Sequence, residues 1–531
     1  MIAFAGTGRL VRLVVRRDRM RLSLWLVLLG VIIVSSAASL PPVYPDQADI
    51  DNYVELFGDN PALVAFAGPG YGFDDPNLGV ILVNETQLWA CVGVALMSIF
   101  LLTRHTRAEE DVERAEHIRS APVGRHAPTA AAIVVVASAN LALAVVCAAG
   151  FIALGYQVAG SLALAGSFVA VGWVFTGVTA VSAQLASSAR GTLGLAAAVL
   201  GASFVLRAVG DIGDNALRWL SPIGWAQSVR AFAEEAWWAL AACLVASIAL
   251  LLVATWLTTH RDLGSGILPQ RLGSPVASPG LRRPLGLAMR LQRGAVVGWL
   301  AGMFLTGVVY GSIGNDVEQM IEDNPTYADF LAQLEGASIT DSFFTTSFTM
   351  LALLSGGFAI SSALRLRAEE GAGRVEPLLA GSLSRTTWAL SHLTITLVGT
   401  VLVVAAAGLG VGAAHAVTTG DAAQVPRLAG AALATVPGVL VLSAIAVLLF
   451  GWLPRAALAT WAALGVAVVV GILGELLRLP DWSRSLSPFH HVPALPAEDV
   501  AWLPLALLLA LAGAIAAAGL VGFSRRDLRT A

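Results

Sequence analysis

Along most of the chain the hydrophobic positions do not alternate with polar ones; they run together. Uninterrupted apolar stretches of about 20 residues, the length a helix needs to cross the hydrocarbon core of a bilayer, recur from Leu22 to the carboxyl end. Twelve can be placed, centred near Ile32, Gly93, Leu143, Val171, Val199, Ile248, Phe304, Leu354, Val401, Leu440, Ala467 and Ala510. Backbone in lipid must satisfy its hydrogen bonds within its own segment, which favours helices for such runs. The pattern predicts an all-α integral membrane protein of about twelve transmembrane helices. Small-residue runs such as GLGVG (408–412) suit close approach of two helices. Composition agrees: 57% hydrophobic and 13% charged residues leave too little polar surface to cover a soluble particle of 531 residues. Cys91, Cys147 and Cys243 all fall inside apolar runs and make no disulfide framework.

The polar breaks between the runs set orientation. Arginine collects in 1–21, 103–127, 184–192, 260–293, 364–388, 451–456 and 522–531, and only Arg207, Arg218, Arg230, Arg427, Arg478 and Arg484 fall elsewhere. By the positive-inside rule the arginine-rich segments face the cytoplasm, and both termini with them. The loop after the first span (41–85) has no arginine but eight acids, and the loop after the seventh (315–345) repeats the bias with seven. The basic amino end could imitate a secretory leader. Its counterpart near Trp299 lies mid-chain, so the first span is read as uncleaved.

All 32 basic residues are arginine, because the chain has no lysine. That excludes a P-loop lysine on nucleotide phosphates, a Schiff base and a Ser-Lys dyad. The chain is therefore not itself an ATPase, and any ATP hydrolysis belongs to another polypeptide.

One charged word is written twice. RAEE occupies 107–110 and 367–370, and RAEEDVERAEHIRSAPVGR (107–125) lies over RAEEGAGRVEPLLAGSLSR (367–385), 260 residues on. Other echoes keep the same order: Arg190 with Arg455, LSP at 220–222 and 486–488, RDL at 261–263 and 526–528. Ordered echoes indicate a duplicated unit. An even number of spans per unit makes the two copies parallel, giving two parallel six-helix repeats. The first half is 1–263, the second 287–531, and the Gly, Pro and Ser-rich segment 264–286 is a cytoplasmic linker.

Each copy predicts a short helix, with Glu110 facing Arg114 and Glu370 facing Arg374 at i,i+4. Glu109 and Glu369 sit near its amino end, where the helix dipole favours acids. One such copy would be explained as a solvated loop helix whose ion pairs are worth a few tenths of a kcal/mol. Two in matching places read as docking elements for a partner with two equivalent sites. The second copy has Gly371, Gly373 and Pro377 in place of Asp111, Glu113 and His117, so its helix is expected to be shorter or bent.

The arginine-rich RLVRLVVRRDRMRLSLW (9–25), the pattern R-x-E-E-x-x-x-R-x-E after spans two and eight, SPIGW (221–225) and RDLGSG (261–266) together resemble bacterial ABC-2 type exporter permeases. The likeness is to the fused actinobacterial group described as exporters of polyketide antibiotics (tetronasin-like), and it covers essentially the whole chain. It implies a permease in the bacterial plasma membrane that moves a hydrophobic or amphipathic compound outward. The partners it implies are two copies of a separate ABC ATP-binding subunit, which carry ATP and Mg; this chain would hold no cofactor. The loop after the second span of each half would be a coupling helix seated in a groove of that subunit. Carried over, the role falls on Arg107, Glu109, Glu110, Arg114 and Glu116, and on Arg367, Glu369, Glu370, Arg374 and Glu376. Segments 9–21 and 286–297 would be elbow helices on membrane lipid, and 211–236 and 477–500 short external helices.

Asp211 and Glu475 occupy corresponding places near the outer ends of spans five and eleven and are candidates for the translocation path. Each can also pair locally, Asp211 with Arg207 and Glu475 with Arg478. Asn140, Gln157, Gln184 and His415 suit interhelical hydrogen bonds. The adjacent His490 and His491 lack metal-ligand spacing, so no metal site is expected, and nothing points to nucleic acid. Two other readings share the twelve-span plan or the membrane setting. A secondary transporter would need a basic loop of the Asp-Arg-x-Gly-Arg type or an acid at the middle of a span, and neither is found. An intramembrane transferase would need paired carboxylates or a His-Asp set on one aqueous face.

Overall fold

In the computed structural model, residues 3–528 are described, apart from 59–60, 115, 117–119, 262–263, 269–274, 323–338 and 474–480. Among the described residues all regular structure is helical, and the chain divides into two compact units, Met1–Gly273 and Ser274–Ala531. The first runs α1 (Thr7–Val43), α2 (Gln47–Gly58), α3 (Pro61–Ala67), α4 (Leu78–His105), α5 (Arg107–Asp111), α6 (Ala127–Ala153), α7 (Val158–Leu185), α8 (Ala189–Ile212), α9 (Pro222–Gln227) and α10 (Trp238–Thr259). The second runs α11 (Pro284–Glu322), α12 (Ile339–Ala363), α13 (Arg365–Gly371), α14 (Glu376–Leu379), α15 (Arg385–Thr419), α16 (Gln424–Leu433), α17 (Val436–Trp452), α18 (Thr460–Leu473), α19 (Asp481–Arg484) and α20 (Trp502–Arg525).

Among the described residues eleven helices are long and apolar enough to cross a membrane, with α16 and α17 counted as one. Twelve were expected from the apolar runs. The difference is the run around Ala467, where α18 has 14 described residues and adjoins 474–480, outside the described residues. The other eleven runs each coincide with a spanning helix.

Burial sorts the helices within each unit. In the first, α4 and α7 bury 72% of their apolar windows and form the core, while α1 and α10 bury 17% and leave most of their surface for lipid. In the second, α11 and α15 pack backbone to backbone. A Cβ on Gly307 would lie 2.2 Å from the Ala407 carbonyl oxygen, and one on Gly410 2.2 Å from that of Phe304. Only glycine permits that approach, as the GLGVG run suggested.

Two segments depart from expectation. The elbow at 9–21 is not a separate helix: α1 is one 37-residue helix interrupted at Asp18, whose φ of −107° and ψ of 17° bend it between its arginine-rich start and its apolar span. The acidic loop 41–85 is largely ordered as α2 and α3. Tyr53 is buried there, stacked on Phe57 at 4.2 Å and edge-on to Tyr44 at 5.5 Å. Glu85, counted with that loop, lies inside α4 about two turns from its start.

Candidate functional site: an arginine-carboxylate clasp in each unit

At the end of the first unit that carries RAEE, α4 gives way to the five-residue α5, and Glu113 then turns the chain with a φ of +58°. Arg107 is fully buried and donates from Nη1 to Glu110 Oε2 (2.7 Å) and from Nη2 to the Gly264 carbonyl (3.1 Å). Glu110 is gripped a second time by Arg261, just beyond α10, whose Nη2 donates to Oε1 (2.6 Å) and Nη1 to Oε2 (2.9 Å). Two parallel N–H···O bonds from one guanidinium make the strong, directional form of ion pair. Arg261 Nε also donates to Gln184 Oε1 near the end of α7.

Glu109 points the other way, accepting from Arg17 Nη2 of α1 at 2.7 Å. Next to that contact Asp18, 3% exposed, accepts from Arg104 Nε (2.7 Å) and meets His105 Nε2 (3.0 Å). Asp111 accepts the Ala189 backbone N–H at 2.7 Å, placing an acid at the amino end of α8, where the dipole favours it. Helix α5 thus meets α1, α8 and the chain after α10, and Arg261 links it on to α7.

The second unit repeats the clasp. Arg526, directly after α20, donates from Nη1 to Glu370 Oε1 (2.7 Å) and from Nη2 to Oε2 (2.6 Å). Its guanidinium lies over the rings of Phe450 (5.0 Å) and Phe523 (5.2 Å), and its carbonyl accepts from Arg385 (2.6 Å). Glu369 is held by Arg365 Nη2 (2.7 Å) and Arg374 Nε (2.6 Å). The bond to Glu369 in turn raises the Arg374 pKa, since it favours the charged guanidinium.

The local partners differ from those expected, Arg107 for Glu110 and Arg365 and Arg374 for Glu369, and long-range arginines join them. Arg114 Nη1 lies 3.7 Å from Glu109, not a turn above Glu110, because α5 ends at Asp111. Arg374 holds Glu369, and Glu370 reaches Arg526. The second copy is also not the shorter: α13 has seven residues against five in α5. Both copies break at the same place, Glu113 and Gly373 (φ +68°), so the glycine eases a turn that both backbones make. Pro377 sits in the first turn of α14, where proline is tolerated.

The side chains divide into two sets. Glu109 and Glu110 are 11% exposed, Glu369 5% and Glu370 6%, all turned inward with Arg107. Arg114, Glu116, Arg374 and Glu376 are exposed, and Arg367 is half-buried. Arg261 and Arg526 were not among the site residues expected from sequence, although the repeated RDL contained both.

The units also differ. Aligning Trp25 with Trp299 puts Gln292 at the position of Asp18. Gln292 Oε1 accepts from Ser362 (2.6 Å), and its amide lies 3.4 Å from His392 Nδ1. The first unit uses a charge where the second uses neutral hydrogen bonds.

Away from RAEE, the buried Arg207 lies 3.5 Å from Asp211 and donates to the carbonyls of Val64 (3.2 Å) and Ala65 in the last turn of α3. Gln227 caps the same turn through the Ala67 carbonyl (2.8 Å). The local pair expected for Asp211 is formed, and through Arg207 it fixes α3 to α8. Glu475 lies outside the described residues. Asn140 bonds Ser98 between α6 and α4 (3.1 Å), and His415 packs edge-on to Phe344 at 4.9 Å. Among the described residues no group of three His, Cys, Asp or Glu could hold a metal.

Comparison with known proteins places these features in context. A family model described as the C-terminal domain of multidrug efflux system permease Rv1217c matches residues 281–524. Over 529 residues, 99% of this chain and 96% of the relative, the sequence is 38% identical to the multidrug efflux system permease protein Rv1217c of Mycobacterium tuberculosis (strain ATCC 25618 / H37Rv).

Proposed function

We propose the following reading for this chain, which belongs to the multidrug efflux permease Rv1217c family: it is the membrane subunit of an ATP-driven exporter of the ABC-2 type. The chain is a multi-pass membrane permease. Beyond that, its cargo is a hydrophobic or amphipathic compound, a drug, polyketide antibiotic or lipid-like molecule, moved outward across a bacterial plasma membrane. Walls built largely of Ala, Val, Leu, Gly and Phe suit such a cargo and would solvate a sugar or small ion poorly. Twelve spans form two parallel six-helix halves, 1–263 and 287–531, joined by the linker 264–286, with both termini in the cytoplasm. ATP and Mg bind on two copies of a separate ATP-binding subunit, consistent with a chain that has no lysine.

The observation that supports this reading most is that the same two-bond fork holds the RAEE segment of each unit. Two like segments, each with an inward carboxylate face and an outward charged face, suit a partner with two like sites. Arg107, Glu109, Glu110, Glu369 and Glu370 hold each segment in shape, with Arg367 at its edge. Arg114, Glu116, Arg374 and Glu376 form the outward docking surface. Asp211 secures α3 through Arg207.

Co-purification of the permease with a candidate ABC ATP-binding subunit from the same organism tests the reading. Wild type should form a complex whose ATPase activity rises with cargo. Joint reversal of the exposed Glu116 and Glu376 should cut complex recovery about tenfold while the permease stays monodisperse. If efflux proceeds without ATP on a proton gradient alone, the secondary-transporter reading replaces this one.

A further inference from the structure

We infer that Arg261 and Arg526 are positioning residues that carry movement of each RAEE segment to the last helix of its own unit. This inference rests on the ATP-driven reading, since it concerns how the motion of docked subunits would enter the membrane.

The argument begins with placement. Arg261 follows α10 and Arg526 follows α20, so each stands at the end of the last spanning helix in its unit. Those helices bury only 17% and 28% of their apolar windows. The end of α20 is also packed, with Phe523 buried against Phe450 and Trp388, so the polar tie there adds direction to an apolar contact. In each unit the tie is the same, with both guanidinium Nη atoms on both oxygens of the second RAEE glutamate at 2.6–2.9 Å.

Chemistry makes the tie stiff. Arg261 and Arg526 side chains are 6% and 16% exposed, and their glutamates 11% and 6%. Separating such a pair strands a charge away from water, so the two groups move together. The planar fork fixes direction as well as distance, which a lysine ammonium cannot do. Each arginine also holds a third element of its unit. Arg261 reaches Gln184 of α7, and Arg526 rests on the Phe450 ring of α17. A push on RAEE is therefore delivered to the last helix and to its inner neighbour at once.

The test uses the second unit, where Arg526 sets Nη1 and Nη2 on the two Glu370 oxygens and Nη1 also donates to the neighbouring Asp527 carbonyl. The complete permease with its ATP-binding subunit is reconstituted in proteoliposomes, and efflux per ATP hydrolysed is compared among wild type, Arg526→Gln, Arg526→Lys and the exchange Glu370→Arg with Arg526→Glu. Arg526→Gln should lower efflux per ATP hydrolysed about tenfold, measured per bound subunit. Arg526→Lys should fall between, and the exchange should recover most of the ratio. A purely structural contact would lower efflux and hydrolysis together, in proportion to folded complex, and that result overturns the inference. An unchanged ratio in all three variants overturns it too. If Arg526→Gln does not fold, the ratio is read on the lysine and exchange variants, with the same two overturning results. Failure of the wild type to bind any ATP-binding subunit is a different outcome; it removes the ATP-driven reading itself, and the inference with it.

Discussion

Glu113 and Gly373 occupy one position in the two copies of the repeated segment, and only the second suits its backbone. A left-handed φ costs an L-residue about 1–2 kcal/mol that glycine avoids. Glu113→Gly should therefore raise the stability of the purified protein by about 1 kcal/mol, read as a higher unfolding midpoint in detergent; a lower midpoint would show that the Glu113 side chain contributes more than its backbone costs. Arg107 presents the opposite case. Fully buried between Glu110 and the Gly264 carbonyl, it should cost about 3–5 kcal/mol on replacement by Ala, since Glu110 loses a guanidinium partner in a site remote from water. Thermal unfolding with tryptophan fluorescence would check this, and a change below about 1 kcal/mol would mean that water reaches the clasp. At this scale the sequence was informative about which residues matter and uninformative about whom they meet. Acid-first spacing suggested Glu110 with Arg114, but i,i+4 pairing needs a helix that continues past both, and α5 stops at Asp111.

Among the elements, the spanning helices were legible because each is encoded by its own apolar run. Lipid and backbone hydrogen bonding make that local information sufficient. What lies between spans was less legible. Helix α3 depends on partners far along the chain: Arg207 and Gln227 take the carbonyls that end it. Arg207→Ala should release α3 and leave Asp211 unpaired, costing about 3–5 kcal/mol and opening this segment to protease. Asp211→Asn keeps a polar acceptor and should leave efflux within about threefold of wild type. If Asp211→Asn abolishes efflux in a stable protein, Asp211 meets cargo after all. Asp18 and Gln292 offer a matched pair at the start of α1 and α11. Asp18→Asn should destabilise the first unit by about 2–3 kcal/mol, because Arg104 and His105 lose their shared anion. Gln292→Ala should cost less, as only neutral hydrogen bonds are lost. Unfolding midpoints of the two variants, measured side by side, decide the order.

Considering the whole molecule, the apolar runs determined by themselves that the chain is a helical membrane protein, and the spacing of RAEE and RDL identified corresponding places along it. Those properties follow from local free energies: transfer of one segment into lipid does not depend on distant residues. The arginine asymmetry is local in the same way. Tertiary structure decided the rest. Glu110 meets Arg261 across 151 residues and Glu370 meets Arg526 across 156, and no spacing rule reaches so far. The two repeated words had been visible separately; packing of the helices brought each RAEE to its RDL. The physical reason is that a buried ion pair forms only where the fold has already removed both groups from water and aimed one at the other.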